Sequence, residues 1–143
     1  MQPDREVLTS NATIKAVRVP ESKRTNTLPR YFGRQHMTGD AWVYQSLQSV
    51  CDAYSGGVWD FFELSNGGFY MAPRLEEPLR IHNEGNGFDG EMSCDAAGIV
   101  ACLMAFSALA CQTRVAHFGE LFYQLRDFAA QHAEAASIFA AID

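Results

Sequence analysis

"LSNGGFYMAP", Leu64–Pro73, sets a serine, an asparagine and two adjacent glycines ahead of three bulky side chains and a proline. Two structures suit such a stretch: a loop whose glycines cradle a phosphate, or a tight hairpin turn. Neither it nor "SGGVWD" (55–60) matches GxGxxG or the P-loop pattern, and neither carries the P-loop lysine. Both stand before a strand-like run, so no helix N-terminus is aimed at an anion. The hairpin reading follows. With Asn66 and Gly67 as the central pair of a type I′ turn, followed by Gly68, Leu64 faces Phe69 and Phe62 faces Met71. One sheet face then carries Val58, Phe62, Leu64, Phe69 and Met71, and turns toward helices. The other carries Trp59, Phe61, Glu63, Tyr70 and Ala72. An aromatic face that also bears a carboxylate predicts a partner-binding patch at Trp59, Phe61, Glu63 and Tyr70, unless another segment covers it. Pro73 cannot donate to a ladder, so it marks a strand end or an edge.

Outward from the hairpin, "PLRIHN" (78–83) alternates Leu79 and Ile81 with Arg80 and His82, which predicts a third strand with one wet face. "EGNGFDGEMS" (84–93) reads as a glycine-rich loop. Upstream, Val43, Leu47, Val50 and Tyr54 form an apolar stripe on a helix over about 38–54, with Thr38 at its N-cap and Asp40 in its first turn. Downstream, Ser93 caps a helix that runs to about Gln112 and is apolar all round, so it is central. Ala97, Ala101 and Ala105 give that helix a smooth ridge for close packing. A further helix from about His117 sets Phe118, Leu121, Phe122, Leu125 and Phe128 on one side, and "SIFAAI" (137–142) packs as a final turn. Residues 1–27 are polar and expected to be less ordered, with "TIKAVRV" (13–19) as a short strand and Pro20 opening a helical turn. "LPRYFG" (28–33) is a turn closed by Gly33. The order predicts an α+β fold: a small antiparallel three-stranded sheet, hairpin plus third strand, packed against several helices in a single domain, 1–143.

Composition narrows the function. At 143 residues, 48% hydrophobic and 20% charged, the chain fits one globular domain. Its net charge of −6 is uneven. Residues 1–34 carry seven Lys/Arg against three Asp/Glu, and residues 35–143 four against fourteen. An acidic body argues against binding nucleic acid by phosphate neutralisation. Cys51, Cys94, Cys102 and Cys111 contain no CxxC pair and read as reduced thiols of a cytoplasmic protein. "MQPDREVLTSN" lacks the apolar run of a secretory signal. The uncharged run Ala96–Thr113 touches the lower length limit of a membrane span. Six alanines, a glycine and several polar residues dilute it, which favours a buried helix.

No catalytic or metal constellation emerges, and no cofactor is implied. "HNE" (82–84) has the form of the HxE of zinc deaminases but lacks the PCxxC that must follow. His36, His117 and His132 are scattered. There is no GxSxG elbow and no papain-type cysteine signature. Asp60, flanked by aromatics, would have a raised pKa if buried, which keeps a hydrolase in play. Glu120, Asp127 and Glu134 recur every seven residues and predict an acidic helical stripe, the kind of feature that mimics DNA phosphates.

Four segments carry a resemblance: "LPRYFGRQHMTGDAWVY" (28–44), "YSGGVWDFFELSNGGFYMAP" (54–73), "RIHNEGNGFDGEMSCDAAGIVACL" (80–103) and, more loosely, the helical C-terminus. Together they resemble the antirestriction proteins of the ArdB/KlcA family, with Asp40 where that family is expected to have glutamate. The resemblance implies a small cytoplasmic bacterial protein, encoded on plasmids and genomic islands, that protects incoming unmodified DNA from type I restriction-modification enzymes. It implies no catalytic residue, and its partner would be the restriction enzyme or an associated host factor. It also separates this chain from the elongated, strongly acidic antirestriction proteins that mimic DNA. A charge of −6 over 143 residues agrees with that separation.

Overall fold

The computed structural model describes residues 13–143; of the segment 1–27 expected to be less ordered, residues 1–12, with the reading of no signal, lie outside the described residues, whereas 13–27 carry a short strand, Ala16–Arg18, and a 3₁₀ turn, Glu21–Asn26. Strands β1 (Ala16–Arg18), β2 (Trp59–Leu64) and β3 (Phe69–Pro73) form a three-stranded antiparallel sheet in the order β1-β2-β3. Strands β4 (Leu79–Asn83) and β5 (Phe88–Met92) form a separate antiparallel pair. Among the described residues there are five α-helices: α1 (Thr27–Phe32), α2 (Gly39–Val50), α3 (Cys94–Thr113), α4 (Ala116–Ala130) and α5 (Ala135–Ile142). The α+β class holds, in one domain with one core. The third strand of the main sheet is the N-terminal "AVR", however, and not 79–83.

The hairpin lies where Asn66 and Gly67 put it, but its register is one residue off the type I′ reading. Gly67 N donates to Leu64 O at 3.0 Å and Leu64 N to Gly68 O at 2.9 Å. The loop is therefore three residues long, a tight turn followed by Gly67 at φ +93°. Either turn uses a glycine in the left-handed region, so the sequence admits both. Because side chains alternate with period two, a one-residue slip changes every cross-strand pair. Phe61 now pairs with Met71, Phe62 with Tyr70 and Glu63 with Phe69. Pro73 ends β3, as expected of an edge strand.

Helix α3 runs along the open edge of β3. Met71 N donates to Cys102 Sγ at 3.3 Å, which satisfies an edge amide in a dry environment. Four residues earlier, a side chain at Gly98 would place its Cβ 2.5 Å from Ala72 Cα and Met71 O, so only glycine permits this approach. The expected ridge Ala97, Ala101 and Ala105 is fully buried. By length and composition α3 passes the test for a membrane span, yet 67% of its apolar window is buried inside the fold. Ser93 caps it as predicted, accepting from Ala96 N at 3.1 Å.

The stretch read as a glycine-rich loop contains β5. "FDGEM" does alternate: Phe88, Gly90 and Met92 turn inward while Asp89 and Glu91 face water. Gly90 hid that pattern by supplying no side chain. The turn itself is only 84–87, where Gly85 N donates to Asn83 Oδ1 and Gly87 N to Asn83 O, with Gly87 at φ +79°. The amides of Asn83 and Asn86 reach across to the end of α5, donating to Ala141 O at 2.8 Å and to Ala140 O at 3.1 Å. A second long-range amide clamp joins Ile14 to Gln131: Ile14 N donates to Oε1 at 3.0 Å, and Nε2 returns to Ile14 O at 2.6 Å.

Candidate protein-contact surface

The slipped register moves Tyr70 to the face opposite Trp59 and Phe61, and both faces are covered. Trp59, Phe61 and Tyr70 are 2%, 5% and 2% exposed, so the aromatic face foreseen as a contact surface is core. Trp59 donates from Nε1 to Tyr54 OH at 2.9 Å and meets Tyr44 and Tyr54 edge-on. Burial, then the charge of Asp40, pushes the Tyr44 phenol up to about 12. Phe61 lies against Phe69, and the Arg24 guanidinium sits 4.2 Å from its ring centre. Tyr70 stacks between Phe62 and Phe128. Of the four residues only Glu63 reaches water. It accepts from Tyr31 OH at 2.5 Å and from Arg30 Nη1 at 3.1 Å. Burial and this carboxylate raise the Tyr31 phenol well above its usual range.

Asp60 is a paired anion rather than a raised acid. Arg74 donates to both its oxygens, the shortest contact being 2.6 Å, and Arg18 Nε adds another at 3.1 Å. The Arg74 bonds, with help from Arg18, hold the carboxyl below its ordinary value against a burial penalty of opposite sign. Glu21 bridges the same two arginines. The acidic stripe also dissolves, because α4 stops at Ala130. Glu120 and Asp127 stay on its exposed face, whereas Glu134 turns back to Ser93.

That return forms a polar cluster which sequence spacing did not reveal. Ser93 N and Oγ both donate to Glu134. These bonds hold the Glu134 carboxyl below its ordinary value, against the larger burial effect. His132 Nδ1 accepts from Glu134 N at 2.9 Å, so Nε2 carries the proton and donates to Asp95 Oδ2 at 2.9 Å. Asp95 Oδ1 accepts from Tyr70 OH at 2.7 Å. Burial, then Asp95, raises that phenol far above its ordinary value. The cluster fastens the start of α3 to the α4–α5 turn. Ser93 is committed to Glu134 and Ala96, so its hydroxyl is not presented to His132 as a nucleophile to a base. His36 and His117 bond to backbone carbonyls of Gly33 and Tyr31, and His82 stands exposed on β4. Among the described residues no group of three His, Cys, Asp or Glu could hold a metal. Burial pushes the Cys102 thiol up to about 12, against the lowering effect of its bond with the Met71 backbone.

Open surface lies elsewhere. A depression of about 810 Å³ runs between the end of α1 and the α3–α4 turn. Arg30, Arg34 and His117 form its polar wall, and Phe32, Val115 and Phe118 its apolar floor. No carboxylate, serine or cysteine lines it.

The fold and surface define a small α+β protein, wound around one apolar helix, with Asp60, Asp95 and Glu134 each held by side-chain partners. A family model described as antirestriction protein matches residues 52–143. The chain is 46% identical over 140 residues to the antirestriction protein KlcA of Escherichia coli, covering 94% of this chain and 99% of that one. It is 40% identical over 129 residues to the uncharacterized protein YafX of Escherichia coli strain K12, covering 87% and 85%. A solved structure superposes with a TM-score of 0.86 at 46% identity, covering 92% of this chain and 96% of that one. That work describes KlcA and ArdB as having a novel fold, and antirestriction activity against type I DNA restriction systems in vivo but not in vitro. The chain belongs to the antirestriction protein family.

Proposed function

We propose that this protein protects incoming unmodified DNA by blocking type I restriction-modification systems in the bacterial cytoplasm, without catalysis, through protein contact or an indirect route. Its partner is the restriction enzyme or a host factor associated with it. The observation that carries this reading is the similarity to KlcA at 46% identity over 94% of the chain, matched by a TM-score of 0.86 in three dimensions. No carboxylate, serine or cysteine lines the 810 Å³ depression, which supports a contact role over hydrolysis. DNA mimicry at the enzyme's DNA channel is less well supported. At −6 over 143 residues the chain lacks the charge density that imitating DNA phosphates requires.

Plating unmodified phage on a host with an active type I system tests the proposal. Expression of the protein should raise plating efficiency, and an unchanged efficiency would remove it. Titration into the purified enzyme separates the two routes. Mimicry requires competitive inhibition that weakens steeply with salt, whereas the contact or indirect route tolerates its absence.

A further inference from the structure

We propose that a furrow centred on Arg30 docks an acidic, apolar-studded peptide segment of the protein partner; this rests on the functional reading above and names the chemistry of the contact. Three depressions share Arg30 in their walls. The first is the 810 Å³ groove ending at Arg34 and Val115. A second, about 410 Å³, lies along β1 between Val17, Lys23 and Glu63. A third, about 450 Å³, joins them past Tyr31 and His117. The furrow thus runs from the edge strand β1 to the α3–α4 turn. Among the described residues only β2 pairs with β1, so no described strand covers the outer backbone edge of β1. Val17 and Val115, at the two ends, are 65% and 48% exposed.

Charge complementarity selects the occupant. Residues 13–34 carry six Lys/Arg against one acid, in a chain whose remainder is strongly acidic. Arg30 is shared with Glu63, while Lys23 and Arg34 form no ion pair among the described residues. Carboxylates of a partner would meet these cations, and its apolar side chains would cover Val17 and Val115, the exposed apolar residues at the two ends. A nucleic acid supplies phosphates but no aliphatic groups for those valines. Any length of it beyond the furrow would meet the acidic body and be repelled. An extended peptide rises about 3.3 Å per residue, so a short segment stays within the cationic strip.

The test is fluorescence anisotropy on the full chain with a labelled twelve-residue peptide alternating glutamate with leucine and phenylalanine. Controls are the same peptide with lysine for glutamate, and a labelled twelve-nucleotide DNA, single- and double-stranded. Arg34→Glu and Val115→Glu, each verified as folded by circular dichroism, should weaken the acidic peptide at least about tenfold. Raising salt from about 50 to 300 mM should weaken it similarly. Arg126→Glu, outside the furrow on α4, should leave it within about twofold. The inference is overturned if the acidic peptide does not bind, if the lysine peptide binds as well, or if the furrow variants bind unchanged. Tighter binding of the DNA overturns it in favour of a nucleic-acid surface. Sedimentation that shows a dimer dissolved by Arg34→Glu overturns it in favour of a second copy of this chain. In the plating assay, wild-type protection that persists undiminished in both furrow variants also overturns it, and leaves the functional proposal standing. Failure of the wild type to protect removes the functional proposal instead, while anisotropy still decides the furrow.

Discussion

The β2–β3 hairpin is covered on both faces and sealed along one edge, while the β4–β5 hairpin keeps one face and its turn in water. In the first, Phe61, Phe69 and Met71 pack on one side and Tyr70 stacks on Phe128 from the other, with α3 closing the open edge through Cys102. In the second, Leu79, Ile81 and Met92 point inward while Arg80 and Asp89 pair on the surface at 2.6 Å. Both are short antiparallel pairs with glycine turns. Their surroundings differ, and with them the cost of a changed atom. The covered hairpin has backbone for a neighbour; the open one has movable side chains and solvent.

Matched glycines give the sharpest contrast. Gly98→Ala drives a Cβ to 2.5 Å from Ala72 and Met71 backbone atoms that cannot swing away. A loss of about 2–3 kcal/mol in urea unfolding is expected. Gly90→Ala meets only the Phe88 ring, at 3.1 Å, and should cost under about 1 kcal/mol. Equal losses would break the comparison. Next is the sealed edge. Cys102→Ala leaves the buried Met71 amide without its acceptor, for an expected loss of about 1–2 kcal/mol, with faster exchange of that amide by hydrogen–deuterium exchange. Unchanged protection would show that the sulfur is not the acceptor.

The turns come third. Gly67 and Gly87 both hold positive φ, so alanine at either costs about 1 kcal/mol of backbone strain. Gly67 also faces Gln124 Nε2 at 3.1 Å, whereas nothing lies within 4 Å of the Cβ position at Gly87. Gly67→Ala should therefore lower the melting temperature further. The smallest effect is electrostatic. Asp60 and Asp89 both have carboxyl pKa values lowered by arginine, Arg74 and Arg80 respectively. A lowered folded-state value means stability fully present above the unfolded value, about pH 4, and lost as pH falls through the folded one. Asp60→Asn should flatten the acid limb of a stability–pH curve visibly, since its partners come from two segments. Asp89→Asn, on the wet hairpin, should barely alter it.

Local signals in the sequence were legible and long-range ones were not. Ser93 before an uncharged run specified both the cap and the central helix, because cap and stripe are properties of consecutive residues. The positions of the Asn66-Gly67 turn and of Leu79 and Ile81 were legible for the same reason. The hairpin register was not: two turns of different length share the same glycine, and the two polar residues of β2, Asp60 and Glu63, lie on opposite faces and so do not choose between them. The predicted patch at Trp59, Phe61, Glu63 and Tyr70 loses Tyr70 to the opposite face at that step, and burial of both faces removes Trp59 and Phe61. Of those four residues Glu63 alone reaches the furrow. Arg30, Arg34 and His117 converge from segments eighty residues apart, and only the charge asymmetry of the first 34 residues hinted at a cationic surface. Glu134 looked like a helical stripe because its return to Ser93 depends on where α4 ends.

The amide clamps impose an order on the making of this protein. Asn83 and Asn86 find their acceptors at Ala140 and Ala141, and Ile14 finds its partner in Gln131. A ribosome delivers the strand that begins the sheet more than a hundred residues before the glutamine that fastens it. The nascent chain therefore cannot close its sheet edge or its second turn as they emerge. Until the last helices are translated, the long apolar helix between them has no complete cover, and that is the interval in which a chaperone or a protease would find this protein.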